Sequence, residues 1–176
     1  MLEWRGRWPP RTTSKQLDKR RKLPGAAAMS LDDELFAVFG QLPPPTNLVG
    51  KHNIAPNDWL DIGAFEGRNW WDLCAEDWNS NMDAIFEFSP EAFVYYLPSL
   101  VHLSIINPTS NITSVGALLL FLDTYAPSQY RNEFFNDRLS RLSNEQVAII
   151  KKWVIHLLEY PQFFKKEVLE RIFDSL

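Results

Sequence analysis

The sequence predicts an all-α fold, a single-domain irregular bundle of five to six helices with a Pro-kinked central helix. Apolar residues recur three and four apart over most of the body, the spacing of a helix face. Caps and prolines stand at most junctions between those stretches, and β-branched runs, the mark of strands, are few. The chain has 176 residues, 45% hydrophobic and 23% charged, with one Cys. That is enough for one core and too little Cys for a disulfide scaffold. The longest apolar run, Val115 to Leu122, is closed by Asp123 and falls far short of the roughly 20 residues that cross a bilayer. A lone Cys74 cannot form an internal disulfide, which suits a reducing compartment. The expectation is a soluble, cytoplasmic protein.

Each element has a local reason. Ser30 is an N-cap followed by Asp32 and Asp33, because a hydroxyl satisfies a free N–H and acids complement the positive helix end. Leu31, Leu35, Val38 and Phe39 give that helix its face, and Gly40 with Pro43-Pro44-Pro45 ends it. From Thr46 to Asn69, Gly50, Pro56, Gly63 and Gly67 interrupt the apolar residues. This segment reads as loop, with one helical turn near Asn57 to Ile62 or a short strand pair. Over Ala75 to Phe88 a second helix gathers Trp78, Met82, Ile85 and Phe86 on one face.

Ser89-Pro90-Glu91 opens the third helix, since Pro suits the first helical position. Its face is Phe93, Tyr96, Leu97, Leu100 and Leu103, and Pro98 removes one backbone hydrogen bond, which predicts a kink between Tyr95 and Pro98. After Asn107-Pro108-Thr109, Val115 to Leu122 has no polar face and is expected at the centre of the bundle. Tyr130 to Leu142 reads as a short peripheral helix or ordered loop. Ser143-Asn144-Glu145-Gln146 forms a capping box and opens a helix along Val147, Ile150, Val154 and Leu157 or Leu158. Tyr160-Pro161 closes it, and Phe164, Val168, Ile172 and Leu176 place a last helix within Gln162 to Leu176.

Charge divides the chain in two. Residues 1–28 hold eight basic and two acidic side chains, a formal +6, and the remainder holds ten basic and twenty acidic, a formal −10. The first part, with Lys19-Arg20-Arg21-Lys22, reads as a disordered basic tail. It lacks the apolar stretch of a secretory signal. Organelle targeting, or contact with nucleic acid or membrane, are two readings of it. The favoured one places the tail upstream of a true start at Met29, where the Ser30 cap follows at once. Residues 29–176 are the helical globular domain. Its negative charge disfavours nucleic acid as the main ligand and attracts a basic partner.

No complete catalytic motif is present. His52, His102 and His156 stand about 50 apart, so none has the i, i+4 partner of a helical metal site. His156 with Glu159, and His102 by packing, would be the one ligand set, against the commoner fate of structural histidines. Cys74 lacks an orienting partner or oxyanion element and is expected to fill space beside Trp70 or Trp78. Gly63-Ala64-Phe65-Glu66-Gly67 has the wrong spacing for a phosphate loop, and G-x-S-x-G is absent. The sequon Asn111-Ile112-Thr113 has no secretion signal to serve. No cofactor is expected.

The aromatic residues between Trp59 and Tyr96 are mostly core by expectation. Trp70 and Trp71, like Tyr95 and Tyr96, are adjacent, so on a helix each pair diverges by about 100° and one member of each should reach the surface. With Asp72, Glu76 and Asp77, the pair Trp70 and Trp71 would make an aromatic and acidic patch for a basic partner.

The stretch from Trp70-Trp71-Asp72-Leu73 through Met82-Asp83-Ala84-Ile85-Phe86-Glu87-Phe88-Ser89-Pro90-Glu91-Ala92-Phe93-Val94-Tyr95-Tyr96-Leu97-Pro98 resembles a bacterial family classed as a domain of unknown function. Its members carry a Trp-containing segment, a D-A-x-x-F-x-x-P-E-A-F block and a Y-L-P motif. The resemblance covers approximately residues 30 to 160 and implies membership without a catalytic residue. It also sets residues 1–28 outside the shared domain.

The leading functional expectation is a non-enzymatic protein-interaction module, immunity- or antitoxin-like in one version, that binds through Trp70, Trp71, Asp72, Glu76 and Asp77. The alternative is an enzyme or small-molecule binder with a cavity at the Pro98 kink lined by Glu91, Tyr95, Tyr96 and His102.

Overall fold

The computed structural model of the chain describes residues 29–49, 62–109, 112–123 and 133–176, without side chains at 133–135. The tail 1–28, the turn near Asn57 and the sequon Asn111 lie outside the described residues. Three cap signals operate as the sequence predicts. The Ser30 hydroxyl accepts the Asp33 N–H at 3.1 Å and starts α1 (Leu31–Phe39). Ser89 accepts from Ala92 N–H at 3.1 Å and starts α4 (Pro90–Ile106). The Ser143 hydroxyl accepts from Gln146 N–H while the Gln146 side chain accepts from Ser143 N–H, and α7 (Asn144–Leu157) follows. Between these lie a 3₁₀ turn (Trp70–Asp72), α2 (Ala75–Ser80), α3 (Ala84–Glu87), α5 (Thr113–Leu122) and α6 (Glu133–Leu139), and α8 (Lys166–Ser175) ends the chain. Among the described residues the only extended pairing is an antiparallel bridge between Val49 and Phe88.

The second helix of the sequence reading is two helices. Asn81 to Asp83 form a turn, and the Asn81 side-chain amide donates to the Asp77 carbonyl at 2.6 Å, closing α2 where the apolar spacing alone would continue it. The helix that holds Pro98 is the central one, as expected, whereas the apolar stretch Val115 to Leu122, also expected at the centre, is partly exposed. In α5, Gly116 is exposed and Leu120 is 66% exposed while Val115, Leu118, Leu119, Phe121 and Leu122 are buried, so one side of this all-apolar stretch is left uncovered. The central element is α4, with twelve of its seventeen residues buried, and it runs as one helix through Pro98. Helices α1, α5, α6 and α7 and the 3₁₀ turn all pack against it.

Two serines make a core of this kind possible. Ser99 accepts the Trp78 indole N–H at 2.9 Å and Ser104 that of Trp153 at 2.7 Å, both in buried surroundings. Each removes an unpaired donor that would otherwise cost desolvation free energy. The last helix starts at Lys166, since Tyr160 to Phe164 are taken up in turns. It is fastened to the end of α5 by Arg171, which reaches both carboxylate oxygens of Asp123 at 3.0 and 2.5 Å.

Candidate functional site

Trp70 to Asp77 form a short, heavily braced corner. Trp70 is fully buried, its ring 4.6 Å from Phe36 of α1 and 6.3 Å from His102 of α4. Trp71 stands edge-on to it at 5.5 Å and is half-buried. The expectation for this pair holds, because the two side chains leave the 3₁₀ turn in different directions. The corner is locked by Arg68, whose guanidinium donates to both Asp77 carboxylate oxygens at 2.8 Å and to the Asp72 carbonyl at 3.3 Å. Asp77 also accepts the Cys74 backbone N–H at 2.8 Å.

Burial pushes the Asp77 carboxyl up, but the hydrogen bonds from Arg68 and Cys74 outweigh it and hold the group down to about 2. The same bond to Asp77 raises the Arg68 guanidinium. Asp77 is therefore a brace and is spoken for, as Trp70 is. Of the five residues assigned to a binding surface, Trp71, Asp72 and Glu76 face outward, the two acidic residues exposed and the indole half-buried. Asp72 keeps one bond within the corner, accepting from Asn69 at 2.8 Å. Cys74 stands between them and is exposed, which corrects the expectation that it fills space beside a tryptophan. It caps the start of α2 instead. Partial burial, Asp77 and Glu76 push its thiol up, the opposite of an activated nucleophile.

The alternative cavity does not assemble from its four residues. Tyr95 and Tyr96 are 2% and 0% exposed, against the expectation that one would surface, because packed elements surround α4 and a 100° divergence still ends in protein. The Tyr96 hydroxyl donates to the Phe65 carbonyl at 2.5 Å and lies 3.1 Å from that of Arg68. Burial raises this phenol well above its ordinary value, with Tyr95 adding to the effect. Tyr95's hydroxyl lies beside the Trp70 backbone N–H without reaching hydrogen-bond geometry. Glu91 is exposed on the first turn of α4, about 16 Å along the axis from His102. His102 is engaged by Asp32 of α1, Nδ1 to Oδ1 at 2.5 Å.

His156 faces Glu159, in the turn just after α7, at 3.6 Å, while His102 is engaged by Asp32, so the ligand set of the sequence reading is divided between two places. Among the described residues no three His, Cys, Asp or Glu side chains are grouped to hold a metal. A cleft of about 390 Å³ opens elsewhere, where Ile112 and Val115 meet Phe163 and Phe164.

Arg68 and Asp32 are the members of this region that the sequence reading missed. Arg68 is nine residues from Asp77 and Asp32 seventy from His102, so no local spacing marks either. No described helix is long and apolar enough to cross a membrane. No match was found among curated proteins or among solved structures. A family model does match residues 51–170, about two thirds of the chain, and spans the braced corner, the central helix and the first half of α8. By that match the chain belongs to a family of unknown function, DUF6714.

Proposed function

We propose that this chain is a cytoplasmic protein-interaction module that binds a basic protein partner through Trp71, Asp72 and Glu76. The observation that supports this reading is the construction of the corner: a half-buried indole flanked by two exposed carboxylates on a turn that Trp70, Arg68 and Asp77 hold still. A rigid aromatic anchor costs little ordering on binding, and adjacent carboxylates select Arg or Lys beside it. The net charge of −10 beyond residue 28 adds long-range attraction for the same class of partner. An immunity- or antitoxin-like role, with a cationic protein as the target, is the concrete version of this reading.

The test is a pull-down with the tagged full chain at low and high salt, repeated with Trp71→Ala and Asp72→Lys. A single basic protein captured at low salt, released at high salt and lost with either substitution is the expected result. Capture that survives both substitutions would place the binding surface elsewhere.

A further inference from the structure

The cleft of about 390 Å³ between α5 and the turn after α7 has the size of a small-molecule site, about 300–1,000 Å³ in known pockets. Ile112 and Val115 give it a buried apolar floor, and the exposed Phe163 with the half-buried Phe164 supplies an aromatic wall. Those two rings are fixed by the turn, where both backbone N–H groups donate to the Tyr160 carbonyl, at 3.0 and 3.2 Å. None of the residues around the cleft is charged, so an ion entering it would lose hydration without finding a partner. Gly116, the fourth residue of α5, lines the same cleft. Glycine weakens a helix interior relative to alanine, and nothing among the described residues requires it here: its φ is not positive, and beyond its own helix a Cβ would meet no heavy atom within 4 Å. The missing side chain leaves an open stretch of α5 on which an occupant can lie close to the backbone. At the rim, the Asn107 side-chain oxygen accepts from the Thr109 hydroxyl at 3.2 Å. That bond leaves the Asn107 NH2 group as the donor for an occupant, and Thr113 adds a hydroxyl to the same rim.

We propose that this cleft binds a small uncharged molecule built of an apolar ring and a carbonyl oxygen, the ring lying on Gly116 against Phe163 and Phe164 and the oxygen accepting from the Asn107 rim. The ring follows from the walls, since phenyl groups receive a flat apolar body stacked or edge-on. The carbonyl follows from the rim, which has donors to give and no charge to neutralise. The cleft shares no residue with the Trp71 corner, so this ligand site stands apart from the binding of a basic protein there.

The probe for the test is prodan, an uncharged naphthalene ketone whose emission shifts to the blue in apolar surroundings. Titrated with the full chain, it should saturate at one site per chain. Gly116→Phe fills the cleft with a ring of its own and should weaken prodan by about tenfold or more. Because the added side chain enters open space, circular dichroism and the thermal transition should stay as they are. Asn107→Leu keeps the size of the side chain and removes the donor. It should weaken prodan several-fold and leave N-phenyl-1-naphthylamine, a ring compound without a carbonyl, bound as before. If Gly116→Phe does not fold, Asn107→Leu decides. Absence of saturable binding, or binding indifferent to both substitutions, overturns the proposal. So does equal weakening of the two probes by Asn107→Leu, which would mean that the rim does not recognise the carbonyl. A chain that sediments as a dimer, and as a monomer with Gly116→Phe, would mean that a second copy covers this face, and the ligand site falls with that result too.

Discussion

Asp77 shows how one side chain sets a pH dependence. Its carboxyl is lowered from an ordinary 3.8 to about 2 in the folded protein, so the charged form is the one that folding favours. The stabilisation is then complete above about pH 4 to 5 and is lost as pH falls through the folded value. With both partners partly exposed, it is of the order of 1–2 kcal/mol. Urea midpoints measured from pH 7 to pH 2 should fall more steeply for the natural chain than for Asp77→Asn, and parallel curves would contradict the brace. Ser104 is a neutral counterpart. Its hydroxyl is the acceptor for the buried Trp153 indole N–H, so Ser104→Ala should cost about 1–3 kcal/mol by leaving that donor unpaired. Equilibrium denaturation gives the value directly. Neither role is visible in sequence, where Asp77 reads as a surface acid and Ser104 as a polar interruption of an apolar helix.

Helix beginnings were the most legible elements, because a cap is a contract between residues three apart. Ser30, Ser89 and Ser143 all cap as read. Replacing Ser143 by Ala removes one half of a capping box and should lower stability by about 1 kcal/mol. Amide exchange should quicken first in the opening turn of α7, and uniform quickening would argue against a local cap. Depth was far less legible. An all-apolar stretch such as Val115 to Leu122 says that no face must be wet, and it does not say that every face is covered; Leu120 is not. At α4 the expectation that Tyr95 or Tyr96 would surface fails, since both are buried and the Phe65 and Arg68 carbonyls face the Tyr96 hydroxyl, as Ser99 and Ser104 face Trp78 and Trp153. Partners of that kind are separated by 21 to 49 residues, and periodicity carries no such information. The same distance effect hid half of the candidate surface's logic. Trp71, Asp72 and Glu76 follow from local composition, whereas the loss of Asp77 and Trp70 to bracing needs Arg68 and α1.

At the scale of the whole molecule, the boundary of the family match and the boundary of the folded unit differ. The match begins at residue 51, which leaves α1 outside it, yet α1 behaves as an integral part of the core. Leu35 and Phe39 are both fully buried, and α1 packs against α4 and α7 together. It also supplies Asp32, the partner of His102, and Phe36, which covers Trp70. Losing it would expose apolar surface on three elements and leave His102 without its carboxylate. Burying one large apolar side chain is worth about 1.5–3 kcal/mol, and α1 buries two fully, while a whole domain has only about 5–15 kcal/mol in hand. A chain shortened to start at residue 50 should therefore lose its cooperative unfolding transition and bind a hydrophobic dye, whereas one shortened to start at Met29 retains α1 and should keep its transition. Near-ultraviolet circular dichroism, rich in signal from the packed tryptophans, is the measurement. A sharp transition in the shorter chain would mean that α4 finds its cover without α1, and that the folded unit coincides with the family boundary after all.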